Sequence, residues 1–336
     1  MTTSPGLGES NDAGMDQNPH LAAHILAGSD YADPADTCAV GAGLMGHRLH
    51  KPGVAGSSPA AATYLSSETI DAYHSDAEWW SKSQLWDLMS QGPQFFCARH
   101  LARTLQPYAR DASLKKGTHV HEWAEQGDDA WWARVVIIPD DALGTSGRRT
   151  KKTEAFVSTQ AADAILLKQS EADEYRRQFE AIKANPIFGQ LSQQTTSREV
   201  SIRWIDPGTG LQLKCRPDAL TPDVVWDIKT TSDPNPLPTF YKSVLKWGYD
   251  IQAVHYLDGV AASGQTRTQF VFLIASTVPP YLCHAVTLPQ RLLDKARRRR
   301  QAALNDLHAR IMFDHWLPED SGQVTELFVP EYCMEE

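Results

Sequence analysis

Within the stretch running from Leu211 to Gly259, three side chains are able to do chemistry together: Asp218, Asp227 and Lys229. Two short runs around them read as β-strands joined at Thr221-Pro222. On the first, Leu211, Leu213 and Cys215 alternate with Gln212, Lys214 and Arg216, the period-two pattern of a half-buried strand. Asp218 falls in phase with Lys214 and Arg216. On the second run Val224, Trp226 and Ile228 share one face, and Asp227 and Lys229 share the other, because residues two apart on a strand point the same way. Two adjacent strands of this kind bring two carboxylates and one ammonium to a common point.

That set suits a hard dication, Mg²⁺ or Mn²⁺, which takes oxygen ligands and leaves its remaining positions to water and substrate phosphate. Asp218 and Asp227 supply carboxylate oxygens, with the backbone carbonyl of Ile228 as a third ligand. Lys229 cannot ligate while protonated. Its expected work is to position an attacking water or to steady the charge that grows on a phosphorane-like transition state. A side-chain nucleophile is not required.

The spacing Asp-(x)8-Asp-x-Lys, with Pro217 before the first Asp, resembles the PD-(D/E)xK nuclease superfamily. Three further segments extend the resemblance to RecE-type and lambda-type exonucleases. YDIQAVHYLDG, with Tyr249, Gln252 and Tyr256 on one helical face, resembles the helix that follows the catalytic lysine, and the family implies that Gln252 contacts water or phosphate. Glu199, at the head of SREVSIRW, takes the place of the acidic residue on the preceding strand, binding metal directly or through water. The segment GTHVH resembles the family's GTxxH helix and gives His121 the place near the metal, with His119 a bystander. YHSDAEWWSKSQLWDLMSQGPQFF resembles the opening of RecE-type domains. There Ser81 or Ser83 caps a helix and is able to touch phosphate.

The resemblance implies an α/β fold with a restriction-endonuclease-like core, a central mixed β-sheet flanked by helices. It also implies a Mg²⁺-dependent exonuclease that works on double-stranded DNA ends in the 5′→3′ direction, as a homo-oligomer, beside a phage-type single-strand annealing protein. Two other readings stay open on the residues: an endonuclease of repair or defence using the same site, and a non-catalytic DNA-binding protein on the same fold.

Composition bounds these expectations. The 336 residues carry a net charge of −9, which says little about one groove because the local field governs contact. Basic clusters are present at Arg148, Arg149, Lys151 and Lys152, and at Lys295 with Arg297 to Arg300. With Ser83, Arg216 and Tyr256, Arg148 and Arg149 form the expected DNA-contacting set. Five cysteines stand singly, which argues against a disulfide framework or an iron–sulfur cluster and suits a reducing cytoplasm. No apolar run approaches the roughly 18 residues of a membrane span. No GxxxxGK[ST] is present, so an NTPase is disfavoured.

Along the chain, residues 1–65 are rich in Gly, Ala, Ser, Pro and Asp without an apolar period, and read as a disordered leader. The exonuclease domain is expected over 66–316 and an acidic tail over 317–336. Within the domain, Trp131 to Pro139 reads as a strand. Thr268 to Ala275 and Tyr281 to Val286 read as a hairpin-like pair about Pro279-Pro280, and Thr287 to His315 as a long helix.

Overall fold

The run VVWDIKTT is apolar at consecutive positions before its charged residues, the mark of a strand covered on both faces rather than one. The computed structural model, which describes residues 64–105, 112–144 and 150–318 and four isolated positions beyond them, places that run at the centre of a sheet. In chain order the described elements begin with β1 (Tyr64–Ser66), α1 (Ile70–Ser75), β2 (Trp80–Ser81), α2 (Lys82–Gln91), α3 (Pro93–Phe96) and a π-helical turn (Cys97–Leu101). They continue with α4 (Ala112–Gln126), α5 (Asp128–Ala133), β3 (Val135–Ile137), a 3₁₀ turn (Asp140–Ala142), α6 (Lys151–Val157), β4 (Ile165–Leu167), α7 (Gln169–Lys183) and α8 (Pro186–Gln194). Then come β5 (Ser197–Arg198), β6 (Ser201–Ile205), β7 (Gln212–Cys215), β8 (Ala219–Leu220), β9 (Val224–Thr231), α9 (Phe240–Trp247), α10 (Tyr249–Ala262), β10 (Gln269–Ser276), β11 (Cys283–Thr287) and α11 (Gln290–Phe313).

The central sheet has the order β11-β10-β9-β8-β5. It is mixed: β9 and β10 run parallel with Asp227 opposite Phe272, whereas the β8–β9, β10–β11 and β5–β8 pairs are antiparallel. The helical crossover through α9 and α10 is what a parallel β9–β10 pair demands. A second sheet, β1-β6-β7-β2, stands beside it, and β3 and β4 form a separate parallel pair.

Because alternate residues of β9 and β10 point to opposite faces, two cores form. Val225, Phe270, Phe272 and Ile274 pack with Ile251, Val254 and Leu257 of α10, Leu304 and Leu307 of α11, and Ile202 and Leu213 of the second sheet. Trp226, Ile228, Val271 and Leu273 pack with Val120 and Trp123 of α4, Phe179 and Ile182 of α7, and Leu191 of α8. The fold is thus the expected restriction-endonuclease-like α/β core, a mixed sheet between helical layers.

Three local expectations need correction. Trp131 to Ala133 are helical, and only Val135–Ile137 form a strand. Asp128 and Asp129 in the first turn favour a helix start there, and Asp128 accepts from the Trp123 indole at 2.8 Å. SREVSIRW is not one strand: Glu199 adopts φ 49° and divides β5 from β6, which lie in different sheets. The strands bearing Asp218 and Asp227 are not neighbours, since β7 pairs with β6 and β2 while β8 pairs with β9. The face of β9 that carries Asp227 is covered by α10, whose Gln252 bonds to the Asp227 carboxylate.

Candidate active site

Asp218 lies in the connector where the chain leaves β7 for β8. Its Oδ2 accepts from the backbone N–H of Ile228 at 2.9 Å, so the β8–β9 pairing, with Ala219 opposite Trp226, fixes the carboxylate against β9. The same oxygen meets Nδ1 of His121 at 3.0 Å. His121 reaches it because Gly117 sits one turn earlier on the same face of α4. A Cβ at Gly117 would stand 3.0 Å from Oγ1 of Thr230 on β9, so a glycine in mid-helix, which costs about 1 kcal/mol, lets α4 approach the strand. Burial opposes the imidazolium, but the Asp218 and Asp227 carboxylates outweigh it and hold the His121 pKa up at about 9. In return, although burial pushes Asp218 up, the charge and hydrogen bond of His121 keep its carboxyl below the ordinary range.

Asp227 is only 2% exposed. Its Oδ2 accepts from Nε2 of Gln252 at 2.5 Å, and the Lys229 ammonium abuts Oδ1. Burial, and then the nearby Asp218, raise its pKa above the usual carboxylate value. Burial works against the charge on Lys229, but Asp227 and Asp218 together raise its pKa, so it remains an ammonium at neutral pH. The Tyr249 ring, 4.8 Å from Lys229 Nζ, braces it from α10. Gln252 and Tyr249 are aimed there by Gly248, which adopts φ 61° and ends α9 as it starts α10.

One buried cation near the site was not among the expected site residues. Lys82, at the first position of α2, is buried, and its Nζ donates to the backbone carbonyl of Trp247 at 2.5 Å, capping the last turn of α9. Burial, and then the positive charge of Lys229, depress its pKa to about 7. A signal was present in the sequence: a lysine at a helix N-terminus opposes the helix dipole, so its place there requires a partner elsewhere.

The donors fit a hard dication. Oδ1 of Asp227 is buried and meets the Lys229 ammonium; a carboxylate oxygen has two lone pairs, so one remains for an ion within reach of a second carboxylate. Among the described residues no three His, Cys, Asp or Glu side chains converge into a cage. Two carboxylates are the donor set that suits Mg²⁺ or Mn²⁺, whose shell water and phosphate complete.

Other expected site residues are placed differently. Glu199 sits beside Asp218, with its backbone N–H donating to the Asp218 carbonyl at 3.1 Å, but its Oε2 is taken by Nε of Arg216 at 2.8 Å. Burial and the Asp218 charge raise its pKa to about 7. Arg216 also donates to the Glu68 carbonyl and Ser201 Oγ, so it clamps the two crossings between the sheets and is not free for DNA. Tyr256 is half-buried and packs its ring against Phe270 at the margin of the core. Ser83 is exposed on α2, whereas Ser81 makes the N-cap with Gln84. Arg148 and Arg149 lie outside the described residues. In the arginine run, Arg297 and Arg300 pair with Asp258 and Arg299 with Asp250, while Arg298 is exposed.

A mixed sheet with an Asp from the connector, an Asp-x-Lys on the central strand and a glutamine from the following helix defines the PD-(D/E)xK class of nuclease domain. A family model described as "PDDEXK-like domain of unknown function (DUF3799)" matches residues 81–327, and the chain belongs to that family. No curated protein sequence matches it. Among solved structures it is similar to a putative exonuclease from Eubacterium rectale, at 14% identity and a TM-score of 0.52, over 80% of this chain and 98% of the other. The alkaline exonuclease LHK-Exo from Laribacter hongkongensis matches at 13% identity and a TM-score of 0.31, over 73% of this chain and 95% of its own.

Proposed function

We propose that this protein is a Mg²⁺- or Mn²⁺-dependent deoxyribonuclease that hydrolyses phosphodiester bonds from duplex ends, in the 5′→3′ direction. The observation that carries the nuclease reading is the meeting of Asp218, Asp227 and Lys229 at the β8–β9 pairing. The polarity, the preference for ends, a homo-oligomeric state and a single-strand annealing partner rest on the resemblance to RecE-type exonucleases.

Asp218, Asp227 and the Ile228 carbonyl would hold the ion. When bound, such an ion lowers the pKa of a water and offsets phosphate charge. The chain's own residues do the rest. Lys229, kept protonated by its two acidic neighbours, is an electrostatic donor to charge developing on the phosphoryl oxygens and not a general base. Gln252 fixes the orientation of the Asp227 carboxylate. His121, as an imidazolium bonded to Asp218, acts as a positioning residue, and direct ligation would require it to give up both its proton and that bond.

The test is digestion of linear duplex DNA labelled separately at its 5′ and 3′ ends, with Mg²⁺, beside a covalently closed circle and a Lys229→Ala variant. Early release of 5′ label, an intact circle and no release by the variant are expected. Cutting of the circle would replace the exonuclease with an endonuclease. Lys229-independent cleavage, or none with either metal, would overturn the assignment.

A further inference from the structure

Helix α9 displays an outer surface that the nuclease site does not use. Its buried residues are Phe240 and Val244. Facing outward are Tyr241 at 59% exposure, Leu245 at 53% and Trp247 at 50%, with Lys242 and Lys246 also exposed. The lysine ammoniums lie over the neighbouring rings, Lys242 at 6.0 Å from Tyr241 and Lys246 at 4.7 Å from Trp247.

The helical repeat, about 100° per residue, orders these side chains around the helix. Ser243 and Trp247 come first, lining a cavity of about 100 Å³ whose wall includes Lys229 and Tyr249. The lysine row 242/246 comes next, and the Tyr241/Leu245 row lies beyond it. A path leads from the reacting lysine past an indole, along two cations and onto a phenol. Lys82 holds the end of α9 at the Trp247 carbonyl, so the path is fixed relative to Lys229.

We propose that this outer face of α9 binds the unpaired segment of a DNA strand adjoining the reacting phosphate, with Trp247 and Tyr241 as stacking platforms and Lys242 and Lys246 as phosphate contacts. The proposal rests on the nuclease reading for which strand is bound, not for the chemistry of the face. Alternation of aromatics with cations is the composition that holds single strands without sequence preference. A second copy of the chain suits the face poorly, because a closed twofold contact sets each patch against itself and so brings lysine rows together. The apolar part is also only a few side chains, short of the roughly 800 Å² per partner of a stable interface.

The test is fluorescence anisotropy of a labelled oligo-dT in EDTA, where no cleavage interferes, titrated with the full chain over a salt series. Light scattering, a urea midpoint and the duplex digestion assay are run on each variant. Tyr241→Ala and Trp247→Ala should each weaken oligo-dT binding by roughly 5- to 160-fold. Lys242→Gln with Lys246→Gln should lower the salt slope by about 0.7 for each single-strand phosphate that is no longer neutralised. Unchanged affinity and slope in a protein that still digests DNA would overturn this inference and leave the nuclease standing. Abolished oligo-dT binding in these variants, with a wild type that cleaves nothing, would uphold the face and sink the nuclease. A fall in particle mass with oligo-dT affinity intact would assign the face to subunit contact instead, and absence of oligo-dT binding by the wild type would also overturn it.

Discussion

Gly248 carries a geometric load that can be weighed. It lies at φ 61° and ψ 43°, in the left-handed region, between the last turn of α9 and the first of α10. A Cβ there would stand 2.4, 2.6 and 2.7 Å from three carbons of the Trp86 indole. Gly248→Ala therefore incurs about 1–2 kcal/mol for the backbone and about 1–3 kcal/mol for forcing a rigid ring aside, roughly 2–5 kcal/mol together. Urea unfolding should show a lower midpoint at unchanged slope. Gly248→Asn, more tolerant of the backbone angle but equally blocked by the indole, should recover only part of the loss. Trp86→Leu combined with Gly248→Ala should fall short of additivity by about 0.5–3 kcal/mol, the range for contacting pairs. Cleavage should decline with stability, because Gly248 seats the turn whose Gln252 N–H bonds to its carbonyl at 3.0 Å. An alanine variant within about 0.5 kcal/mol of wild type, the range of an ordinary surface change, or an additive cycle would refute the steric argument.

Asp227→Ala leaves the half-buried Lys229 ammonium with Asp218 as its remaining counter-charge and should cost about 3 kcal/mol, the lower end for a broken buried pair, as well as cleavage; adding Lys229→Met should restore much of the stability in urea melts and none of the activity. The raised His121 pKa, about 9 against an ordinary value near 6.5, means the folded state binds the extra proton between those values. The stability that wild type holds over His121→Gln should then be full below pH 6.5 and vanish as pH rises through 9; a gap constant with pH refutes the pair. Lys82 has the opposite sign, since its folded pKa of about 7 lies below the ordinary lysine value. Wild type should gain stability relative to Lys82→Met as pH rises from 7 toward 10.5, and parallel stability curves would contradict its burial as a cation. Gly117→Ala gains about 1 kcal/mol of helix propensity yet crowds Thr230 Oγ1, so melting should hardly move while the His121 pKa, followed by NMR, falls as its Asp218 hydrogen bond lengthens.

Much of the site was legible because strand period and side-chain chemistry are local. The phase of Trp226, Asp227, Ile228 and Lys229, the helix carrying Gln252 and the Gly117–His121 spacing follow from periodicity and motif. What was not legible depended on sheet membership. A half-buried pattern in QLKC suggested an open polar face, yet Lys214 is buried and donates to the Tyr73 and Asp76 carbonyls at 2.6 Å, because α1 and its C-terminal turn cover that face. Arg216 and Tyr256 have residue types suited to DNA, but one has an acid within reach across a chain crossing and the other packs its ring against Phe270 of β10. Neither neighbour is near in sequence.

The crossings also explain why the first carboxylate stands outside a regular strand. The chain passes from the central sheet to the second between β5 and β6, and returns between β7 and β8. These two crossings lie side by side, bound by the Glu199 N–H to the Asp218 carbonyl and by the Arg216–Glu199 ion pair. A residue inside a ladder has its backbone groups spoken for and its side chain committed to one packed face. Asp218, at the return crossing, is released from both constraints and turns its carboxylate edge-on to β9, where the Ile228 N–H meets it. The clamp that fixes this turn is Arg216, so its removal should act on Asp218 through backbone placement. Arg216→Met should therefore reduce apparent metal affinity while Lys229-dependent chemistry at saturating Mn²⁺ recovers. Titration calorimetry with Mn²⁺ reads the first effect, and a reduced maximal rate with unchanged metal affinity would show that Arg216 meets the substrate instead.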